Sequence, residues 1–273
     1  MSAFVRVGRV VLLAAICCGA AFADLHSSRS ASAPETSASN ARGDAPLSFA
    51  SKWADLSLPQ LGKHATDLFI ESKEALPSGK SSDASSMTVA DISEKWSELQ
   101  SRLRADGKAT AACRENQATC SEAARRYLNI IDIGRVREGR VRLGWVNRAV
   151  NLAIRPVSDW EQYGLADFWA SPLQTLANAA GDCEDYAIVK YAALRELGIP
   201  SEDLRLVVVQ DDKHEIAHAV VAVRYEQRWL ILDNRTMAIL DAEDVRYYRP
   251  LFALDQQGTR PIATAALGQI TDR

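Results

Sequence analysis

The chain has 273 residues, with 32 Lys and Arg against 35 Asp and Glu, for a formal charge of −3. Hydrophobic residues make up 47% and charged residues 25%, a globular balance that excludes a chain disordered throughout. The slight acidity argues against a nucleic-acid groove binder, which carries a basic surplus, and the length is enough to bury a core without disulfides.

Residues 1–23 have the pattern of a secretory signal peptide. Arg6 and Arg9 supply a positive start, residues 10–18 an apolar run, and Ala21-Phe22-Ala23 a cleavage site before Asp24. The run is too short for a spanning helix, which needs about 20 residues; a short N-terminal anchor is the alternative. The mature chain is therefore expected in the periplasm. Cleavage removes Cys17 and Cys18 and leaves Cys113, Cys120 and Cys183. An odd count in an exported protein points to one pair and one odd thiol. Cys113 and Cys120, in the polar stretch ACRENQATC, are expected to pair, against the alternative of two surface thiols. Cys183 is left to be explained.

Residues 24–87 are rich in Ser and Ala and read as a flexible leader, with one short helix suggested by Trp53, Leu56, Leu61, Leu68, Phe69 and Leu76. Order is expected from Thr88, in a domain over residues 88–262 followed by a tail, 263–273. Trp96, Leu99 and Leu103 recur at helical spacing. Ser121 can cap a second helix through Tyr127 and Ile131. Leu143, Val146, Val150 and Ile154 give a third. The aromatic stretch 156–176 suits the wall of a cleft or ordinary packing. Asp182 then caps a helix over residues 183–197 that Gly198 and Pro200 stop, and its apolar interior predicts a central, buried element. Residues 204–210, 217–225, 228–233 and 237–240 read as strands with links short enough to force antiparallel pairing. Helices followed by an antiparallel sheet make an α+β domain.

Cys183 falls at the N-terminus of the central helix, where the helix dipole favours a thiolate and its backbone N–H can help bind an oxyanion. Such a nucleophile needs a base and an orienting group. Of the four histidines, His26 and His64 lie in the leader region and His214 in the charged loop QDDKHE. His218 opens the strand AHAVVAV between small residues, and Asp233 ends the next strand after WLIL. An acid there needs a partner, and the two residues lie at similar distances from the Glu226-Gln227 turn. A Cys on a helix start, with His and Asp from the adjoining sheet, is the geometry of papain-like catalysis. Taken singly, each residue is also explained as a structural Cys, a core His and a turn Asp.

The stretch G181-D182-C183-E184-D185-Y186-A187, with A217-H218-A219-V220 and L232-D233-N234 after it, resembles the bacterial transglutaminase-like cysteine proteinases. The segment DFWASPLQTLANAAGDC and the late YYRPLF share the likeness, which covers about residues 88–254. The resemblance implies a papain/transglutaminase-like fold with the Cys-bearing helix packed on the sheet. It also implies a periplasmic cysteine endopeptidase with Cys183 as nucleophile, His218 as base and Asp233 as orienting acid. It further implies calcium (Ca2+) held by Asp182, Glu184 and Asp185, a large surface adhesin as substrate, cut near a di-alanine site to control biofilm attachment, and regulation by the periplasmic domain of an inner-membrane cyclic-di-GMP receptor. Without it, the three acids read as a dipole-matched helix start with solvated carboxylates; with it, an ion offsets their repulsion of the thiolate. An acyl transferase on protein amides and a non-catalytic periplasmic binding module stand as alternatives.

Overall fold

The computed structural model describes residues 87–263 and Leu267. The expected signal peptide, the expected leader up to residue 86 with its suggested helix, and all of the expected tail except residues 263 and 267 lie outside the described residues.

The first helix, α1 (Val89–Glu115), starts at a capping box. Thr88 Oγ1 accepts from the Asp91 N–H at 3.2 Å, and the Asp91 carboxylate accepts from the Thr88 N–H at 3.1 Å. Ile92, Trp96 and Leu99 form its buried stripe. Cys113, near its end, is joined to Cys120 by a disulfide, which closes the turn into α2 (Glu122–Arg135). Ser121 caps α2 through the Ala124 N–H at 3.0 Å. Next comes α3 (Gly139–Ala153), which buries Leu143, Val146, Asn147 and Val150. Two short helices, α4 (Asp159–Tyr163) and α5 (Pro172–Asn178), follow, and the paired dipeptides β1 (Arg155–Pro156) and β2 (Ala180–Gly181) flank them in parallel.

Helix α6 (Cys183–Glu196) begins directly after β2 and is buried on nearly every face. It ends in a Schellman motif: Gly198 has φ 83°, and the Ile199 N–H bonds to the Leu194 carbonyl at 3.1 Å. The sheet follows as β3 (Leu204–Asp211), β4 (Ile216–Tyr225), β5 (Arg228–Leu232), β6 (Leu240–Asp241), β7 (Tyr248–Asp255) and β8 (Gly258–Pro261). Its spatial order is β6-β5-β4-β3-β7-β8, antiparallel throughout. Alternate residues bury on opposite faces, as the strand period requires. Leu206, Val208, Ala219, Val221, Leu230, Leu232, Phe252 and Leu254 join the helical core. Val207, Val209, Val220, Ala222 and Ile231 form a second layer with Ala242, Val245, Tyr248 and Leu267.

The strand expected at 237–240 is a correction. Only Leu240–Asp241 pairs with β5, because α3 draws the preceding segment away. Asn147 Nδ2 donates to the Thr236 carbonyl at 3.0 Å, and Asn151 Nδ2 donates to the Asp233 and Thr236 carbonyls at 2.9 Å each. Among the described residues, no helix is long and apolar enough to cross a membrane.

Two positions on the β2–α6 unit are under physical stress. A Cβ built on Gly181 would stand 2.7 Å from the Asp185 Cβ, and Asp185 is pinned by its own bond to the Ala170 N–H. Gly181→Ala is therefore expected to destabilise by about 1–3 kcal/mol, as overpacking does, read as a fall in thermal midpoint. Lys190 is fully buried, and its Nζ has no hydrogen-bond partner among the described residues. Burial pushes its pKa down to about 7, against a weaker pull from Asp233. A lysine whose pKa is lower folded than unfolded binds fewer protons folded in the interval between the two values, so stability rises with pH there. From about 7 towards the ordinary 10.5, this one group should add about 1.4 kcal/mol per pH unit. Lys190→Met should be more stable than the parent at pH 7, with the gap closing towards pH ~10, as chemical denaturation at several pH values would measure.

Candidate active site

Cys183 is the first residue of α6 and is buried. In the β4–β5 ladder the last pair is Val221 with Leu232, so β4 runs on from Val220 back to Ile216 without β5 beside it. A backbone N–H in a strand lies in the sheet plane, and along this overhang it needs another acceptor. Ala219 N–H donates to Cys183 Sγ at 3.3 Å. The sulfur thus lies against the strand one residue from His218.

Extending the β4–β5 register by one step sets Asp233 across from Val220, two positions from His218 and on the same face. His218 Nε2 lies 2.9 Å from Asp233 Oδ1, with both residues buried. Oδ1 also accepts from the Arg235 N–H at 3.0 Å, and Oδ2 accepts from the Tyr248 hydroxyl at 2.6 Å. Burial opposes ionisation of Asp233, but the His218 charge and these donors outweigh it and hold the carboxyl well below the usual range. Burial lowers the His218 pKa against the pull of Asp233. A neutral imidazole whose Nε2–H points at Asp233 carries its lone pair on Nδ1. His214, assigned to a polar loop, is half-exposed and places Nδ1 2.6 Å from Asp211 Oδ2, which also takes Arg235 Nη1 at 2.5 Å.

On the other side of Cys183 lies a group of buried acids. Asp159, Asp182 and Glu184 each offer a carboxylate oxygen, and these atoms lie within 4.8 Å of one another. Asp159, which the sequence did not single out, opens α4 behind the Ser158 cap, and one of its oxygens accepts from the Phe168 N–H. Asp185, the third acid of the sequence cluster, lies outside this group: its Oδ1 accepts from the Ala170 N–H at 2.9 Å. Glu184 Oε2 is 3.4 Å from Cys183 Sγ. Asp167 stands nearby, paired with Lys95 at 3.0 Å.

Crowded, desolvated carboxylates resist ionisation. Burial pushes Asp159 up to about 6 and Asp182 up to about 7, with neighbouring acids adding to both. Burial raises Glu184 and Asp185 well above the usual range, with Asp182 the next contributor to each. Asp159 Oδ1, Asp182 Oδ1 and Glu184 Oε1 are buried with no hydrogen-bond partner among the described residues. An all-oxygen set with orphaned, buried atoms suits a hard divalent cation.

The family model described as bacterial transglutaminase-like cysteine proteinase, BTLCP, matches residues 108–261. Among solved structures, Legionella pneumophila LapG is 25% identical over 57% of this chain and 87% of that one, with a TM-score of 0.47. Its calcium-bound form is 25% identical over 62% and 93%, with a TM-score of 0.47. The EGTA-treated form is 26% identical over 59% and 88%, with a TM-score of 0.48. No curated protein matches the chain. The family model spans more than half of the sequence, including the Cys-bearing helix and the sheet that carries His218 and Asp233, and the chain belongs to the bacterial transglutaminase-like cysteine proteinases, a family of cysteine proteases.

Proposed function

We propose that the protein is a calcium-dependent periplasmic endopeptidase with Cys183 as nucleophile, His218 as general base and Asp233 as orienting acid. The carrying observation is the bond from His218 Nε2 to an Asp233 kept ionised by three donors, beside a sulfur held at the next residue of the same strand. In this reading His218 Nδ1 takes the thiol proton as Sγ bonds to the substrate carbonyl carbon. Negative charge builds on the carbonyl oxygen, towards the positive end of α6. The intermediate collapses by breaking the C–N bond, and His218 returns the proton to the departing amine. Water then attacks the thioester carbonyl carbon while giving a proton to His218; the C–S bond breaks, and His218 returns that proton to the Cys183 sulfur as the acid product leaves.

Asp159, Asp182 and Glu184 would hold the ion, with Asp185 bracing the same turn from its other side. Bound there, calcium supplies positive charge that offsets carboxylates beside a thiolate. The signal-peptide pattern of residues 1–23 supports a periplasmic location. The resemblance carried by GDCEDYA supports a large surface adhesin as substrate, cut near a di-alanine site, with biofilm attachment as the outcome. It likewise supports control by the periplasmic domain of an inner-membrane cyclic-di-GMP receptor.

Cleavage of candidate adhesins from the same cell by the purified protein is the direct test. Cys183→Ala, His218→Ala and Asp233→Ala should each lower the rate by about a thousandfold or more, and double variants should lose little beyond the worst single one. A Cys183→Ala protein that still cleaves would end this reading. Calcium at about 100 times its dissociation constant should add about 2.7 kcal/mol of stability, seen as a raised thermal midpoint that EGTA reverses. Asp159→Asn should abolish that rise. Full activity in excess EGTA, with no calcium in the protein, would remove the metal from the mechanism.

A further inference from the structure

We propose that Tyr248 is a positioning residue of the proteolytic site, its hydroxyl oriented by Arg235 so that it fixes the Asp233 carboxylate that in turn holds His218. The proposal rests on the Cys183–His218–Asp233 reading above and extends it by one residue.

The geometry gives the hydroxyl a direction. Arg235 Nη1 lies 3.5 Å from Tyr248 Oη, and a guanidinium can only donate. The tyrosine oxygen therefore accepts on that side, and its single hydrogen is left for Asp233 Oδ2 at 2.6 Å. The guanidinium is anchored by Asp211, whose Oδ2 it meets at 2.5 Å. Asp211 is fully buried and is steadied by the Lys213 N–H at 3.0 Å and by His214 Nδ1 at 2.6 Å. Each Asp233 oxygen thus has its own donors: Oδ1 faces His218 and the Arg235 N–H, and Oδ2 faces Tyr248. A carboxylate held at both oxygens cannot turn about its Cβ–Cγ bond without breaking one of them. The Tyr248 ring, 5.5 Å from the His218 ring centroid to centroid, also packs the imidazole from one side.

A local irregularity puts Tyr248 in place. In the β3–β7 ladder Val208 pairs with Phe252, but Val209 pairs with Pro250, so one residue of β7 is extra. Without it, strand alternation would send Tyr248 to the same face as Phe252. With it, Phe252 lies in the helical core while Tyr248 lies in the opposite layer, paired with Asp211. A one-residue register change flips every side chain beyond it, and bulges of this kind re-aim side chains beside active sites. Alternation separates the two tyrosines of the YYRPLF motif, and the bulge sets which face each takes: Tyr247 is 37% exposed, and Tyr248 is buried. Burial raises the Tyr248 pKa, and Asp233 raises it further, so the hydroxyl keeps its proton at all working pH values.

The test uses the full chain labelled with 15N-histidine, with the His218 Nε2–H resonance as the readout. In the parent this proton should exchange slowly with solvent, and in Asp233→Ala it should be lost. Tyr248→Phe keeps the ring and removes the hydroxyl. Its His218 Nε2–H should exchange about tenfold faster or more in a protein that stays folded at the temperature of the measurement, with a thermal midpoint lowered only by the loss of one buried bond. On an adhesin that the parent cleaves, Tyr248→Phe should lower kcat by about ten- to a hundredfold, the scale of a bond to a charged group, with KM unchanged. In the Asp233→Ala background the same change should have no further effect, because coupled residues are non-additive. A purely structural role would lower stability in both backgrounds and leave the resonance alone. An unchanged Nε2–H exchange rate in folded Tyr248→Phe overturns the assignment, as does an equal loss of rate in both backgrounds. A Cys183→Ala protein that still cleaves overturns the underlying triad reading instead, whatever the resonance does.

Discussion

Strand β4 outlasts its neighbour β5, and the stretch Ile216–Val220 must satisfy its backbone groups on that side without a ladder. An unpaired buried N–H costs about 1–3 kcal/mol, so whatever fills the overhang is held there firmly. The Ala219 N–H is met by the sulfur of Cys183 at the start of α6. The contact ties the helical layer to one end of the sheet, and each neighbouring feature follows from it. His218 is the adjacent residue, and Asp233 is where β5 breaks off. Asn151 takes the Asp233 carbonyl and keeps the chain from rejoining the sheet. Had β5 continued two residues further, its own backbone would occupy the place of the sulfur.

Carboxylates on the two sides of Cys183 live in opposite environments, and the difference is one of donors. Asp233 is as buried as the others, yet three donors reach its two oxygens and keep it charged. Asp159, Asp182 and Glu184 are equally desolvated and are pushed towards their protonated forms, with orphaned oxygens among them. The same residue type is thus an anchor for an imidazole on one side and, on the other, a set of oxygens short of positive charge. Two roles are assigned on this physical ground, and sequence position alone does not separate them.

Much of this was legible in the residues. The Cys-bearing helix, its start and stop, and the hairpin of β4 and β5 follow from apolar runs and turn chemistry, although Asp182 stands at the N-cap without a side-chain cap bond. Those elements sit where local preference and tertiary packing agree. What stayed hidden depended on distant contacts. Asp159 is twenty-three residues ahead of Asp182, and nothing in its short helix marks it as a neighbour. Strands β7 and β8 are obscured by Pro250, since a proline argues against a central strand. Here it is tolerated because β8 pairs only with Phe252–Asp255 and leaves one side of Pro250 without a ladder partner. The strand expected at 237–240 is cut short for the converse reason: two asparagines on α3 hold the Asp233 and Thr236 carbonyls just ahead of it and draw the chain from the sheet. Tyr248 lies in the YYRPLF stretch that carries part of the likeness, but nothing in that stretch gives its direction, because a bulge decides it.

The first described helix is also fastened to a strand near the other end of the described chain. Trp96, on α1, donates its indole N–H to the Asp255 carbonyl at the end of β7, a separation of 159 residues. A chain that emerges N-terminus first therefore carries the apolar stripe of α1 without its final partner until the β7–β8 hairpin has been made. Contacts this remote in sequence form late and slowly. The hairpin strand that receives Trp96 is also the one that brings Tyr248 to Asp233. The bond from Tyr248 to Asp233 can therefore form only once β7 exists, and a partly synthesised chain that lacks it would hold Cys183 and His218 with one Asp233 oxygen short of that donor.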